Sequence, residues 1–412
     1  MLRSPRIRVH VGAVVAAAAI VWFLAACEGG AGRPAAVERD SAGIPILENR
    51  ADTAALRAGW SIDPDPLVTI GGLQSDSSQQ LYQVSGGVRL ADGRIAIANG
   101  GSSDIRVYGP NGSVAAIYGR QGEGPGEFTS PQLAGVIGDD SLIVFDSQLR
   151  RISILDADTG YVRSVLVGDE GGGFPLARGA LGDGDLLLGG GMYFSSANGF
   201  PSGLTRPPSR YLVVGLDGEA VGDFGEIPAA EMFAKVSSTG FSARLVPFGK
   251  ITAIAATSDR IWLGTGETWE IRAFRPDATL ARIVRFDRAQ APVTASLVEA
   301  FVEEQVADAR DPNEVRTRRA FYAEMPTPSS VPPYELFAAD ALDVLWIGEY
   351  LLPGKQRRTW TLADSTGRAI GRVTTPARTV PLDIGPDWLL AVTRDEYDVE
   401  SVTLWRLHRP AA

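Results

Sequence analysis

The sequence predicts an all-β fold, specifically a six-bladed β-propeller closed by an N-terminal strand, from a repeat and the character of its strands. One short phrase recurs six times, a turn containing Asp or Gly followed by a compact apolar strand. These strands are nearly continuous apolar runs, which indicates that both sheet faces are covered, as in blades pressed between two others. A sandwich would leave one face in water, and most connections are too short for the helices of an α/β fold.

The phrases are spaced like propeller blades. They span residues 92–97, 140–145, 183–188, 259–263, 343–347 and 387–392. Their matching apolar residues are Ile95, Leu142, Leu186, Ile261, Leu345 and Leu389, at spacings of 47, 44, 75, 84 and 44. The three shorter spacings suit one four-stranded blade each, and the two longer ones require insertions. Asn111-Gly112 and Asp217-Gly218 supply the positive φ angles that tight hairpins need.

The sixth unit ends early, and an N-terminal segment matches what it lacks. No strand-like segment follows residues 403–407, whereas residues 67–70 form a short apolar strand near the other end of the chain. A strand from there would complete the last blade and remove the open edges that invite aggregation. We therefore expect residues 67–70 to lie beside residues 403–407.

The longest spacing contains a predicted helical pair, at about residues 294–325. Ser296 and Glu299 fit a capping box, and Asp311-Pro312 fits the start of a second helix. Our main interpretation is a pair packed on the outside of the ring. The alternative is a lid or a partner surface.

Residues 1–26 have the pattern of a secretory signal peptide. Arg3, Arg6 and Arg8 precede an uncharged run at residues 11–26. This run is shorter than the about 20 residues of a membrane-spanning helix. The sequence Leu24-Ala25-Ala26-Cys27 is similar to the bacterial lipobox, which implies acylation of Cys27, the only cysteine. The alternative is an uncleaved signal anchor.

The remaining domain boundaries follow from that signal. Residues 27–45 are predicted to be a flexible tether and residues 46–410 the propeller, because residues 28–39 are rich in Gly and Ala and lack periodicity. By similarity to lipoprotein sorting signals, Glu28 favours the outer over the inner membrane. We expect an exported monomer, bound to the membrane by lipid.

Composition disfavours several function classes. The net charge is −10, and because the first 26 residues carry three arginines and no acid, the rest carries −13. Such a body repels phosphates, so we expect no nucleic-acid partner. With two histidines and one cysteine, the chain has few ligands for a transition metal and no catalytic Ser-His-Asp set can be assigned. No catalytic residue or cofactor is predicted.

An oxygen-ligated Ca²⁺ or Mg²⁺ site is compatible with the many carboxylates, although no ligands can be named. We interpret the repeated aspartates as turn residues. These are Asp92, Asp140, Asp183, Asp259 and Asp343. Trp262 and Trp346 occupy matched positions and are interpreted as packing between blades, with a sugar platform as the alternative.

One decapeptide carries a family resemblance. It is Gly119-Arg120-Gln121-Gly122-Glu123-Gly124-Pro125-Gly126-Glu127-Phe128. This segment resembles a signature of bacterial six-bladed β-propeller lipoproteins, relatives of the NHL-repeat propellers. Supporting segments are residues 40–45, Glu48-Asn49, Trp346 and Tyr350. The resemblance implies a fold and an envelope location, but no general activity.

We interpret the decapeptide as a structural loop between blades. Glycines can let backbone amides face a phosphate, but Glu123 and Glu127 would repel one. A further hypothesis is that Arg120 and the two glutamates tie neighbouring blades together.

The main functional hypothesis is a binding or scaffolding propeller that holds an envelope protein, peptide or glycan at one rim. The alternative is a divalent-metal-dependent hydrolase or lactonase that uses carboxylates of the central channel, as in gluconolactonase-like propellers. Three or more converging carboxylates at the channel mouth would favour the enzyme. A third hypothesis, an assembly factor for outer-membrane proteins, rests on analogy alone.

Overall fold

The computed structural model describes residues 35–50, 59–73, 79–168, 175–190, 201–237 and 240–410. Residues 35–412 form one compact unit. The predicted signal peptide and Cys27 lie outside the described residues. No helix in the described part of the chain is long and apolar enough to cross a membrane.

The first four strands are all added to sheets formed later in the chain. They are β1 (Ala36–Ser41), β2 (Ile44–Asn49), β3 (Ser61–Ile62) and β4 (Val68–Gly71). Sheet I and sheet II are then four-stranded antiparallel meanders. Sheet I contains β5 (Val84–Arg89), β6 (Ile95–Asn99), β7 (Asp104–Tyr108) and β8 (Val114–Tyr118). Sheet II contains β9 (Pro131–Ile137), β10 (Ser141–Asp146), β11 (Arg151–Asp156) and β12 (Gly160–Leu166).

Sheet III is another antiparallel meander, interrupted by strands of a separate three-stranded sheet, here the cap sheet. In chain order the strands are β13 (Leu176–Ala180), β14 (Leu186–Gly189), β15 (Gly203–Thr205), β16 (Pro208–Val214), β17 (Ala220–Pro228), β18 (Met232–Ser237) and β19 (Gly240–Leu245). β13, β14, β16 and β17 form sheet III, and β15, β18 and β19 form the cap sheet.

Sheets IV, V and VI repeat the antiparallel meander. Sheet IV contains β20 (Ala253–Ala256), β21 (Ile261–Gly264), β22 (Glu270–Phe274) and β23 (Leu280–Phe286). The helices α1 (Ala295–Val306) and α2 (Pro312–Ala323) follow. Sheet V contains β24 (Tyr334–Ala339), β25 (Leu345–Glu349), β26 (Arg357–Ala363) and β27 (Ala369–Pro376). Sheet VI contains β28 (Thr379–Ile384), β29 (Trp388–Arg394) and β30 (Glu400–His408).

The first strands of the six sheets, here the inner strands, form a closed circuit. β5 contacts β9, and the contacts continue through β13, β20, β24 and β28 back to β5. The chain is therefore mostly β, with several four-stranded antiparallel sheets around a common axis. This arrangement is consistent with the predicted β-propeller class.

The core consists of apolar clusters between neighbouring sheets. Trp262 of sheet IV packs in a cluster with Phe337 and Leu345 of sheet V. Trp346 of sheet V packs in the next cluster with Leu389 of sheet VI. The interpretation of both tryptophans as packing residues is confirmed. Because each second strand is covered on both faces by neighbouring sheets, its sequence is a continuous apolar run.

The predicted pairing of the N-terminal segment with the last sheet is confirmed. β4 pairs antiparallel with β30, so that Thr69 lies opposite Thr403 and Ile70 opposite Val402. Ile70 is buried in a cluster with Val402 of sheet VI and Tyr108 of sheet I. β3 pairs with the end of β30 as well.

The tether predicted for residues 27–45 is too long. β1 pairs with β2, and β2 adds to sheet IV by parallel pairing with β23. The buried Asn49 fixes this addition to sheet V, since its Nδ2 donates to the Gly367 carbonyl at 2.9 Å and its Oδ1 accepts from the Ala369 amide at 2.8 Å. Most β1 side chains are exposed, so the strand depends on backbone pairing and shows no apolar pattern.

The two helices lie within the region where the sequence predicts them. Asp311 caps α2 as expected, accepting from the amides of Asn313 and Glu314. The cap of α1 differs from the prediction. Thr294, rather than Ser296, is the N-cap and accepts from the Leu297 amide.

The two ends of the inner strands differ. In an antiparallel meander, the connection between sheets and the loop between the second and third strands lie where the inner strand begins. We call this end the insertion rim. It carries the described segments 201–207, 229–237, 240–252 and 287–333, which include the cap sheet and both helices. The other end, here the turn rim, carries mainly short turns such as residues 90–94 and 109–113.

Candidate functional site

A cavity of about 480 Å³ lies where the inner strands meet. All six inner strands contribute to its wall. Much of that wall consists of Gly and Ala, which leave the axis open because they have little or no side chain. These residues are Ala134, Gly135, Gly179, Ala180, Gly182, Ala255, Ala256, Ala338, Ala339 and Ala341. The wall also includes the turns that follow inner strands, so the cavity occupies the part of the channel nearer the turn rim.

β-Bulges direct particular side chains within this channel. In β13 the pairing with β14 skips from Ala177 to Gly179, which makes Arg178 the extra residue. In β28 the pairing skips from Pro381 to Asp383. A bulge re-aims nearby side chains and bends the strand locally. Arg178, the extra residue of the first bulge, and Asp383, which follows the extra residue Leu382 of the second, are two charged groups of the cavity wall.

The Arg178 guanidinium is held by two backbone carbonyls, which we call its seat. Its Nε donates to the Gly189 carbonyl at 3.0 Å and its Nη2 to the Gly190 carbonyl at 3.2 Å. A Cβ on Gly190 would overlap the guanidinium, so the seat requires glycine there. The surrounding protein lowers the pKa of Arg178 by desolvation. No carboxylate pairs with Arg178 among the residues that the structure describes.

Asp383 lies on the inner strand that is three positions from β13 in the circuit of six, hence across the channel from Arg178. Its Oδ2 accepts from the Arg89 amide at 2.8 Å. Burial raises the pKa of Asp383 to about 6, and the opposing effects of the Arg89 amide, the Ile384 amide and the Arg89 guanidinium are smaller. This carboxyl therefore changes protonation near neutral pH, which few carboxyl groups do.

Asp383→Asn is expected to stabilise the protein at pH 8. Folding raises the Asp383 pKa from 3.8 to about 6, so its favourable contribution is complete below pH 4 and is lost as the pH rises through 6. The asparagine avoids burying a charge and should raise the free energy of unfolding by about 2 kcal/mol at pH 8. Denaturant unfolding of both proteins at pH 4 and pH 8 measures this.

The matched control is Asp387→Asn, an exposed position in the same sheet. It should change the free energy of unfolding by less than about 0.5 kcal/mol at either pH. An Asp383→Asn variant whose stability relative to the native protein does not depend on pH would contradict the assignment.

Two other aspartates border the cavity, and both are occupied within the fold. Asp343 accepts from the Ser258 amide and hydroxyl, each at 2.8 Å, and so links sheet V to sheet IV. Asp340 accepts from the Trp346 indole at 3.1 Å and pairs with Arg409 at 2.9 Å. Within the described ranges, no group of three or more His, Cys, Asp or Glu residues is arranged to hold a metal. Three aspartates therefore border the cavity, but Asp340 and Asp343 are engaged within the fold.

The repeated aspartates have more than one role. Asp92 accepts from the Arg94 amide and Asp183 from the Asp185 amide, both as turn residues. Asp343 also lies in a turn, with a φ of 59°, but its carboxylate reaches the neighbouring sheet. Its position in the repeat gives no sign of this second role.

The decapeptide loop connects sheet I to sheet II at the insertion rim. Its last residue, Phe128, is fully buried between these sheets. The hypothesis that Arg120 ties neighbouring blades is wrong, because Arg120 pairs with Glu127 of the same loop at 2.8 Å. The tie comes from Arg151 of sheet II, which donates to the backbone carbonyls of Glu123, at 2.8 Å, and Glu127.

The loop's glycines also serve the loop itself. The Gly124 amide donates to the Glu127 carboxylate at 3.0 Å, and this bond together with Arg120 lowers the Glu127 pKa. A side chain on Gly122 would overlap the same carboxylate. Gly126 has a φ of 74°, which favours glycine. The glycines of this loop therefore make room for the Glu127 carboxylate of the loop itself. In a phosphate-binding loop, that space would hold the phosphate.

The insertions pack together through aromatic side chains. Tyr350 of sheet V contacts Phe248 at a ring distance of 5.8 Å, and the Tyr350 hydroxyl accepts from the Phe248 amide at 3.1 Å. Phe248 in turn lies 6.0 Å from Phe301 of α1. Phe321 of α2 contacts Phe233 of the cap sheet at 6.5 Å. Within the insertion rim, the helices are thus packed against both the cap sheet and the segment that contains Phe248.

A cleft of about 250 Å³ lies among these insertions. Its wall includes Leu204 of the cap sheet, Phe248, and prolines of the segment that follows α2. Glu231 and Lys250 supply charge, and they pair with each other at 3.5 Å. The rim therefore offers a partly apolar surface with few fixed charges.

Neither Arg178 nor Asp383 was predicted from the sequence as a site residue. The available signal was a charged residue within a segment of small residues, as in 177–182. That signal becomes informative only when the segment is known to be an inner strand with a bulge.

Comparison with known proteins gives only distant similarities. No protein-family model matches the chain, and no curated protein is similar to it. A protein of Bacteroides fragilis described as exported is 13% identical, with a TM-score of 0.45 over 89% of this chain and 100% of the other. A PQQ-bound aldose sugar dehydrogenase of Streptomyces coelicolor is 11% identical, with a TM-score of 0.41 over 86% and 100%. Virginiamycin B lyase of Staphylococcus aureus is 11% identical, with a TM-score of 0.38 over 79% and 97%. The strand pairing, and not these similarities, defines the architecture.

Proposed function

We propose that this protein is an exported, lipid-anchored, six-bladed β-propeller that binds a peptide or protein at its insertion rim. In this proposal sheets I to VI are the blades, and the helical pair is an insertion between the fourth and fifth. Cys27 would carry the lipid, with the outer membrane as the expected location. The protein acts as a binding or scaffolding module of the cell envelope.

The observation that carries the proposal is the concentration of all three long insertions at one rim. Loops displayed by a rigid scaffold are where binding sites most often lie. The closed circuit of inner strands supplies such a scaffold. The turn rim has mainly tight turns, which provide little surface for a partner.

The surface chemistry of the insertion rim favours a peptide or protein over a glycan. Tyr82 and Tyr397 expose more than half of their side-chain surface in loops of this rim, and Leu204 and Leu245 of the cap sheet do so as well. Exposed aliphatic and tyrosine side chains are typical of protein interfaces. A glycan would use the exposed tyrosine rings, whereas Leu204 and Leu245 add aliphatic surface that suits a peptide or protein.

Photo-crosslinking from the two rims tests the proposal. A photoreactive amino acid is placed in the full-length protein in bacterial cells at Tyr82, Leu204 or Tyr397 of the insertion rim. The matched controls are Leu342 and Asn111, exposed residues in turns of the turn rim. We expect the insertion-rim positions to yield the same crosslinked partner and the turn-rim positions to yield none.

Equal yields from both rims, or crosslinks from the turn rim alone, would contradict the proposal. A crosslinked glycan without a protein partner would contradict the choice of partner class. Each crosslinked product is identified by mass spectrometry.

A further inference from the structure

We propose that the central cavity binds a short peptide with free termini, with its carboxylate at Arg178 and its ammonium group at Asp383. This site is separate from the binding surface of the insertion rim. The inference therefore goes beyond the proposed function and does not depend on it.

The cavity has the dimensions and lining of a small-molecule site. Its volume of about 480 Å³ lies in the range of small-ligand pockets. Such pockets combine a largely apolar wall with a few polar groups that orient the ligand. Here Gly and Ala make up somewhat less than half of the wall residues, and Arg178 and Asp383 contribute the charged groups that are not already fully engaged within the fold.

Arg178 is prepared to receive an anion. The carbonyls of Gly189 and Gly190 take two of its five N–H donors and hold the guanidinium in place. The remaining donors are accessible from the cavity, although protein encloses the channel. A carboxylate can accept two parallel hydrogen bonds from a guanidinium, which makes this pairing both strong and directional.

The Arg178 seat is specific to its position in the ring. Among the described sheets, β13 is the only inner strand in which a bulge has an arginine as its extra residue. The corresponding bulge in β24 has Glu335 as its extra residue. Glu335 is paired with Arg358 of its own sheet. Arg178, by contrast, contacts the backbone carbonyls of Gly189 and Gly190, and Gly190 leaves room for the guanidinium.

Asp383 determines what the other end of the ligand must be. Its Oδ2 is engaged by the Arg89 amide, and its carboxyl borders the same cavity from the opposite inner strand. A second anionic group would be repelled there, whereas an ammonium group would be attracted. A ligand with a carboxylate at one end and an ammonium group at the other can pair with both Arg178 and Asp383.

The test uses a pool of dipeptides with free termini and the full-length protein, with saturation-transfer NMR as the readout. Two blocked pools are compared: the same dipeptides as C-terminal amides, and the same dipeptides with acetylated N-termini. We expect binding from the free pool and at least tenfold weaker binding from each blocked pool. The absence of saturable binding from the free pool would overturn the proposal.

Two variants test the contributions of Arg178 and Asp383 to binding separately. Arg178→Gln should weaken binding of the free dipeptides at least tenfold and should bind the C-terminal amides as the native protein does. Asp383→Asn should weaken binding of the free dipeptides and should bind the N-acetylated dipeptides as the native protein does. Arg378→Gln, at an exposed arginine outside the cavity, is the control and should bind like the native protein.

Arg178→Lys keeps the positive charge and should retain part of the affinity, which separates loss of charge from loss of folding. Equal binding by the native protein and Arg178→Gln would overturn the assignment. Because the rim crosslinks do not involve the cavity, either result leaves the proposed function to its own test.

Discussion

Replacing Ile70 by Asp is expected to be the most destabilising single change in β4. Ile70 is buried between sheets VI and I, with Val402, Leu404 and Tyr108 as neighbours. A carboxylate there would have to be buried without a partner or open the contact between the sheets. We expect the free energy of unfolding to fall by about 4 kcal/mol or more, as measured by chemical denaturation.

The matched control is Thr69→Asp, the preceding residue of the same strand. Its side chain is exposed on the opposite face, so the same carboxylate should cost less than about 0.5 kcal/mol. If the two variants were equally stable, β4 would not contribute a buried face to the closure.

The second large effect is expected from Asp340→Ala. The carboxylate is fully enclosed and accepts from the amides of Leu342 and Val344, from the Trp346 indole, and from Arg409 near the C-terminus. Its removal leaves the indole without its acceptor and the Arg409 guanidinium without its carboxylate partner, so that only the Gly385 and Pro386 carbonyls still accept from Arg409. The expected loss in the free energy of unfolding is about 3–5 kcal/mol, measured by denaturant titration.

Asp364→Ala is the control for Asp340→Ala. Asp364 accepts from the Thr366 and Arg368 amides in a turn of the same sheet, but it is more accessible to water. Its loss should cost about 1 kcal/mol. Similar costs for the two variants would show that Asp340 acts as a turn residue alone.

The elements that could be predicted are those whose environment determines their local sequence. The six second strands are covered on both faces, and this requirement alone produces the apolar phrases at Ile95, Leu142 and their equivalents. The strand at residues 68–71 was predictable because the last unit visibly lacks one. Turns and the cap of α2 were predictable because Asp, Asn and Gly act there on their own neighbours.

The elements that were missed depend on distant partners. β1 and β2 are strands because β23, more than 230 residues away, accepts β2 in parallel. The cap sheet alternates in exposure and has no repeated phrase. Arg178 and Asp383 acquire a shared environment only through the circuit of inner strands, which sequence proximity does not reveal. The tie of the decapeptide to sheet II was missed because it uses backbone carbonyls, which any residue supplies.

The six sheets close into a ring where β4 pairs with β30. A disulfide between Thr69→Cys and Thr403→Cys tests it most directly, because these residues lie opposite each other in the closing pair. The pairing of Thr69→Cys with Thr379→Cys, in the strand at the far edge of sheet VI, is the control. Peptide mapping by mass spectrometry after mild oxidation should find the 69–403 disulfide in nearly all molecules and no 69–379 disulfide. Absence of the 69–403 disulfide in the folded protein, or formation of both, would contradict the closure.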